Sequence, residues 1–293
     1  MRMGRPLAAA TTRLFSSVSA TSSLAPSWIP NSSGLGWHLP PNSLPPNTSV
    51  YTYPALSDNY YTVLKHCSDL HVSYLVSDCP SASCASGLSD AFDFSSPLPA
   101  TVNVFLTHHH DDHTAGLPSI SDFCATNDLR LNVVRHSSPP PPPSSLPSGL
   151  SVEPLFTAGH TEDHTCYSIP SLDLLISGDA LFMMGCGRVF TGDTTAAYSG
   201  LQALKDRVAP EARVLCSHEY TVANGRFSLS LGAEFWGDDW GRLQERVTTV
   251  EGMRERGEIT IGGTFAEELV TNPFLRCESL EEFVRVRKLK DEF

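Results

Sequence analysis

The stretch THHHDDH at residues 107–113 packs four histidines and two aspartates into seven residues. It grows out of VNVFLT at 102–107, an apolar run that reads as a buried strand. Loops at strand ends are where a layered α/β protein carries its chemistry. Side chains two apart in an extended segment project to the same side, so His108 and His110 form one pair. Asp112 and His113, one step on, point elsewhere. One short loop can therefore feed two metal centres. His109 and Asp111 alternate out of that set and read as solvated or supporting residues.

Further ligands come from later strand-end loops: AGHTEDH at 158–164, SGDALF at 177–182 and SHEY at 217–220. They supply His160, Asp179 and His218. A lone histidine in such a loop is as readily a core or loop residue. The same strand-then-ligand setting, repeated downstream of HxHxDH, changes that reading. A carboxylate has two oxygens and can bind two cations at once, which makes Asp179 the natural bridge. Three histidines with that Asp would form one centre; Asp112, His113 and His218 with the same Asp would form the other. Imidazole and carboxylate donors suit zinc, iron and manganese. The expected cofactor is two divalent metal ions per chain, zinc first, with iron or manganese as alternatives.

The rest of the chain bounds this reading. Its 293 residues, 41 % hydrophobic, can build one large domain or one domain plus a smaller one. A net charge of −12 argues against a nucleic-acid surface. No apolar run reaches the ~18 residues of a membrane span. Residues 1–57 carry Arg2, Arg5 and Arg13 but no Asp or Glu, and RPLAAATTRLFSSVSA at 5–20 can form a basic amphipathic helix. That is the composition of an organelle transit peptide, expected over 1–50 and addressed to the mitochondrial matrix, with plastid or cytoplasm as alternatives. Eight cysteines show no CxxC pair, so free thiols are expected; Cys79 and Cys84 leave a disulfide question open.

Strands are expected at 58–65, 72–77, 102–107, LNVV (131–134), 151–158, 172–177 and 213–217, and helices near 85–94, 118–127 and 194–208. HSSPPPPPSSLPSG at 136–149, with its proline run 139–143, reads as a solvated insert between strands. From about 223 the pattern turns helical, through WGRLQERVTTVEGMRER and SLEEFVRVRKLKDEF. The expected architecture is a strand-rich α/β body over 51–222 followed by a smaller helical part over 223–293.

THHHDDH, then GHT, GD and HEY in that order resemble the metal signature of the metallo-β-lactamase superfamily, whose fold is an αββα sandwich. SDNYYTVL (57–64), SGDALFMMGCGRVF, SHEYTVAN, FAEELVTNPFLR (265–276) and VRKLKDEF (286–293) are similar to glyoxalase II, the hydroxyacylglutathione hydrolase. The resemblance covers roughly residues 57–293. It implies one metal on His108, His110 and His160, a second on Asp112, His113 and His218, and Asp179 between them. It also implies glutathione contacts from Arg188, Phe190, Tyr220, Arg287 and Lys290. The implied reaction is hydrolysis of an S-acylglutathione, S-D-lactoylglutathione in particular. A hydroxide held between the metals attacks, with Asp112 and Asp179 as the catalytic carboxylates. The substrate is a small molecule, and a monomer is expected because no sustained apolar seam is visible. The family pattern often has an aromatic residue at Asp111, Gly at Ala115 and Ser217, and in some members Tyr at Phe190. None of these departures removes a metal ligand.

Two rivals stand beside this reading. A glutathione persulfide dioxygenase shares the sandwich but uses one iron, and it would need neither His113 and His218 as second-site ligands nor the helical C-terminal part. A metal-loaded glutathione-binding protein without turnover would have to have lost a ligand, and none is missing.

Overall fold

The computed structural model describes residues 28–135 and 143–293. The amphipathic stretch at 5–20 and most of the proline run lie outside the described residues. Among the described residues two sheets form. The first has seven strands: β1 (Ile29–Pro30), β2 (Trp37–His38), β3 (Thr48–Pro54), β4 (Tyr60–Cys67), β5 (Val72–Ser77), β6 (Ala100–Phe105) and β7 (Arg130–Val134), in that spatial order. Its pairs are antiparallel as far as β5; β5–β6 and β6–β7 are parallel, with helices α1 (Ser83–Ala91) and α3 (Leu117–Thr126) in the two crossovers. The second sheet holds β8 (Ser144–Ser145), β9 (Ser151–Phe156), β10 (Thr165–Ile169), β11 (Leu174–Gly178) and β12 (Arg213–Cys216).

Both faces of each sheet are covered, and the sequence shows it as near-continuous apolar strands. Adjacent residues go to opposite sides of the first sheet. Leu64, Leu75 and Phe105 enter the layer between the sheets, where they meet Tyr167, Ile176 and Leu215. Their neighbours Val63, Val76 and Val104 face outward onto Leu88 and Ile120 of α1 and α3. On the far side, Leu175 and Val214 pack under Leu201 and Leu204 of α4 (Thr194–Arg207) and under Phe227, Phe274 and Phe283 of the C-terminal helices. The result is the expected αββα sandwich with a helical C-terminal part.

That part comprises α5 (Thr221–Ser230), α6 (Gly232–Trp236), α7 (Trp240–Glu255), α8 (Phe265–Thr271), α9 (Pro273–Arg276) and α10 (Leu280–Glu292). Thr264 and Glu267 form a reciprocal capping box at the start of α8, and the Ser279 hydroxyl accepts from Glu282 N–H at the start of α10. No described helix is long and apolar enough to cross a membrane.

Within the stretch expected as a leader, β1 and β2 extend the first sheet, and β3 straddles position 51. Trp28 packs on the core and its indole N–H donates to Ile261 carbonyl at 2.8 Å. One expectation is corrected: the insert is not solvated throughout, because Ser144–Ser145 pair with β9, and Leu146 and Leu150 are buried between the sheets. Cys79 and Cys84 are separate, buried thiols.

Phe105 and Tyr167 meet edge-on, 5.1 Å apart, in the centre of the inter-sheet layer. Phe105→Ala is expected to cost about 3–5 kcal/mol, mostly through the cavity it leaves. Equilibrium urea unfolding of the variant against the parent measures it.

Candidate metal centre

The site lies where strand ends of both sheets meet, and its scaffold is backbone first. After β6 the chain runs extended through His108 to His110, then closes one helical turn, α2 (Asp111–Thr114). His113 N–H and the Thr114 hydroxyl both donate to the His110 carbonyl. That turn sits on the end of β5: Cys79 N–H donates to the His113 carbonyl at 2.7 Å, and Gly116 N–H to the Cys79 carbonyl at 2.6 Å. A Cβ on Gly116 would lie 2.1 Å from the Ser81 carbonyl oxygen, so only glycine allows this approach.

All seven sequence-picked ligands converge. His108 Nε2 lies 3.1 Å from His110 Nδ1, and His160 Nε2 3.2 Å from the same atom. Asp112 Oδ2 lies 3.5 Å from His218 Nε2 and 3.8 Å from His113 Nε2. Asp179 stands between the groups: Oδ2 is 3.5 Å from both His160 Nε2 and His218 Nε2, and Oδ1 is 3.5 Å from His113 Nε2. Within the trios His108–His110–His160, His108–His113–Asp179 and Asp112–His113–His218, the ligand atoms fall within 4.8 Å of one another.

This donor set fits divalent cations. His113 Nε2 and Asp179 Oδ1 are buried, face each other and have no hydrogen-bond partner. Two such orphans are costly in a dry interior unless a cation lies between them. The electrostatics agree. Burial pushes the His113 imidazole down, but Asp179, Asp78 and Asp112 outweigh it and hold it up at about 9. The field that retains a proton there also attracts a metal. Burial would raise the Asp179 carboxyl, yet His113, His218 and His160 hold it well below the usual carboxylate range. Burial, then neighbouring imidazoles, push His108 far down, so it is a neutral donor.

Second contacts fix the rings. His113 Nδ1 lies 3.0 Å from Asp78 Oδ2, and His160 Nδ1 donates to the Arg188 carbonyl at 2.9 Å. Both leave Nε2 aimed inward, the arrangement typical of metal-bound imidazole. His164, buried and pushed down to about 3 by that burial, accepts from Asp179 N–H through Nε2 at 3.0 Å. The Asn59 amide lies 3.3 Å from His218 Nε2 and 3.5 Å from Asp112 Oδ2. Asp78, His164 and Asn59 were not singled out from sequence. Asp78 ends an apolar strand just as Asp179 does, and that was the available signal.

Beside the ligands opens a cavity of about 670 Å³, lined by Asp112, His160, Asp179 and His218 and also by Arg188, Arg287 and Lys290. Tyr220 stacks on the His218 ring at 4.8 Å, and Phe190, largely exposed, meets His110 and His160 edge-on. Arg287 is buried: Nη1 donates to the Cys186 and Gly187 carbonyls and Nη2 to Asp291. Burial, then Arg287, push Lys290 down to about 8. Phe293, also unpicked from sequence, lines the same cavity.

A family model described as the hydroxyacylglutathione hydrolase C-terminus matches residues 219–293, and one for the metallo-beta-lactamase superfamily matches residues 140–218. Among relatives named hydroxyacylglutathione hydrolase, the protein of Maricaulis maris (strain MCS10) is 32 % identical over 264 residues, spanning 83 % of this chain and 98 % of its own. That of Rhodobacter capsulatus is 38 % identical over 184 residues, spanning 60 % of this chain and 69 % of its own. The crystal structure of ETHE1 from Myxococcus xanthus shares the fold at 21 % identity, with a TM-score of 0.51 over 79 % of this chain and 86 % of that one.

Asp78 does not line the cavity; it acts through the groups it holds, His113 directly and the Thr107 and Ser217 strand ends beside it. Asp78→Asn keeps the shape and removes the charge that holds the His113 ring. Metal affinity, measured by competition with a chromogenic chelator, is expected to fall about 10–100-fold.

Proposed function

The chain belongs to the hydroxyacylglutathione hydrolase (glyoxalase II) family of the metallo-β-lactamase superfamily, and we propose that it hydrolyses the thioester of an S-(2-hydroxyacyl)glutathione. The first substrate to consider is S-D-lactoylglutathione, giving glutathione and D-lactate, the second step of methylglyoxal detoxification. The observation that carries this reading is the shared cavity: a His/Asp cluster and three cationic side chains line one space, in a chain of net charge −12. Glutathione has two carboxylates, and an acidic protein needs local guanidinium and ammonium groups to hold them.

His108, His110 and His160 would hold one divalent ion and Asp112, His113 and His218 a second, with Asp179 shared. Bound there, such ions lower the pKa of a coordinated water towards ~7 and polarise a carbonyl. The chain's own groups do the rest. Asp112, the more exposed of the two carboxylates, orients the attacking water. Arg188, Lys290 and the Tyr220 hydroxyl hold the peptide so that only the acyl carbonyl reaches the cluster. Phe190, whose exposed ring lines the same cavity, packs against the glutathione moiety. The departing glutathione thiolate, of pKa near ~8.5, leaves without needing a protein acid. A second complete ligand group, Asp112–His113–His218, favours this hydrolase over a single-iron dioxygenase.

Protein starting at residue 28 is expected to cleave S-D-lactoylglutathione with close to two metals bound per chain. Asp179→Ala is expected to lower kcat by more than about a thousandfold, or about 4 kcal/mol of barrier. Loss of thioester absorbance and a metal count on the same sample check both. One iron per chain, no thioester cleavage and O₂ uptake on adding glutathione persulfide would replace the assignment.

Lys290 gives a pH signature. Its ammonium, with pKa about 8, is charged below that pH and neutral above it. Attraction for a substrate carboxylate therefore weakens as pH rises through about 8, and KM rises. Lys290→Ala is expected to show a high KM at every pH without that step. In the unliganded protein the sign is opposite: the buried charge costs stability below pH 8, and the cost fades as pH rises towards 10.5.

A further inference from the structure

Between Asp179 and Arg188 the chain makes a tight turn, with Phe182 and Gly185 exchanging N–H···O bonds at 2.9 and 3.1 Å. Met184 in this turn is left-handed, with φ +54, a conformation costly for a residue with a Cβ. The turn is held from outside. Every backbone carbonyl from Phe182 to Arg188 accepts a hydrogen bond. For the six from Phe182 to Gly187 a side chain of the C-terminal helical part donates: Asn272 to 182 and 185, Asn224 to 183, Ser228 to 184, and Arg287 to 186 and 187. Met184 N–H donates to Glu268 Oε2 at 2.8 Å, and Asn272 to the same oxygen at 2.9 Å. Arg246 pairs with the other oxygen of Glu268 and also donates to Thr271. Glu268 and Asn272 are wholly buried and border no part of the cavity.

The turn in its turn fixes the site. Gly187 N–H donates to the Asp179 carbonyl at 3.0 Å, and a Cβ at 187 would lie 2.1 Å from that oxygen. Arg188 follows directly. The span that leaves the turn thus registers the Arg188 backbone against that of Asp179.

We propose that Glu268 and Asn272 are positioning residues. By clamping the 182–185 turn they hold Asp179 and Arg188 in one register, so that the metal ligand and the glutathione-facing cation are set together. The proposal rests on the functional reading above for the role of Arg188.

Asn272→Ser tests it, because serine keeps the cap that Asn272 Oδ1 gives Phe274 N–H but cannot reach both turn carbonyls. Glu268→Gln is the second variant, isosteric and still able to accept from Met184 N–H. Val63→Ala, in the core outside the first sheet, is the control for simple loss of stability. The readouts are metal per chain, the visible spectrum of the cobalt(II)-loaded protein, affinity for S-methylglutathione and kcat with S-D-lactoylglutathione. The expected result is a changed cobalt spectrum, with metal affinity, S-methylglutathione affinity and kcat each down by about tenfold or more. The control, at a matched drop in Tm, keeps all four. Variants that lose only Tm, with spectrum and affinities unchanged, overturn the proposal. If the parent shows no thioester turnover, the functional reading falls, while metal affinity and the cobalt spectrum still decide the clamp.

Discussion

One buried carboxylate joins the two sheets at the site. Asp78 accepts from Thr107 N–H at 2.7 Å and from the Thr107 hydroxyl at 2.9 Å, from the Ser217 hydroxyl at 3.2 Å, and holds His113 Nδ1 at 3.0 Å. Thr107 follows β6 of the first sheet and Ser217 follows β12 of the second. Burying a charge costs several kcal/mol unless donors surround it. Here donors from both sheets do so, and breaking any strand end away would leave the carboxylate short. The relative placement of the ligand loops follows from that constraint.

The candidate metal ligands were legible because they sit in the loops that follow apolar strands, and a strand end is a fixed place in a layered fold. His108 and His110 were legible as a pair because the extended backbone puts alternate residues on one side. Less visible were groups that act through other groups. Asp78 is a lone Asp after VSYLVS, and nothing local says that its partners arrive from residues 107, 113 and 217. The strands at 29–30 and 37–38 are two residues each, too short for any periodicity, so they were absorbed into the basic leader. The role of NPF at 272–274 was likewise hidden: Asn272 both caps α9 and reaches back about 90 residues to the 182–185 turn.

Charge of both signs lines the cavity. The candidate ligand cluster, with its carboxylates Asp112 and Asp179, attracts cations, while Arg188, Arg287 and Lys290 line the same cavity. The carboxylates around His113 hold it up against the downward push of burial, whereas burial and the neighbouring Arg287 both push Lys290 down. An anionic ligand in this cavity would relieve the cations and could present its neutral end to the His/Asp cluster.

The bonds that shape the pocket connect residues far apart in the chain: Arg287 to Cys186 across 101 residues, Ser217 to Asp78 across 139, Asn59 to His218 across 159. No continuous segment contains the geometry. THHHDDH holds four of the seven candidate ligands, yet as a peptide it would collect donors without their spacing. The pocket is therefore not a portable motif. It cannot be transplanted as a loop, and the entropy of closing three long loops must be recovered by the cores before the full set of ligands assembles.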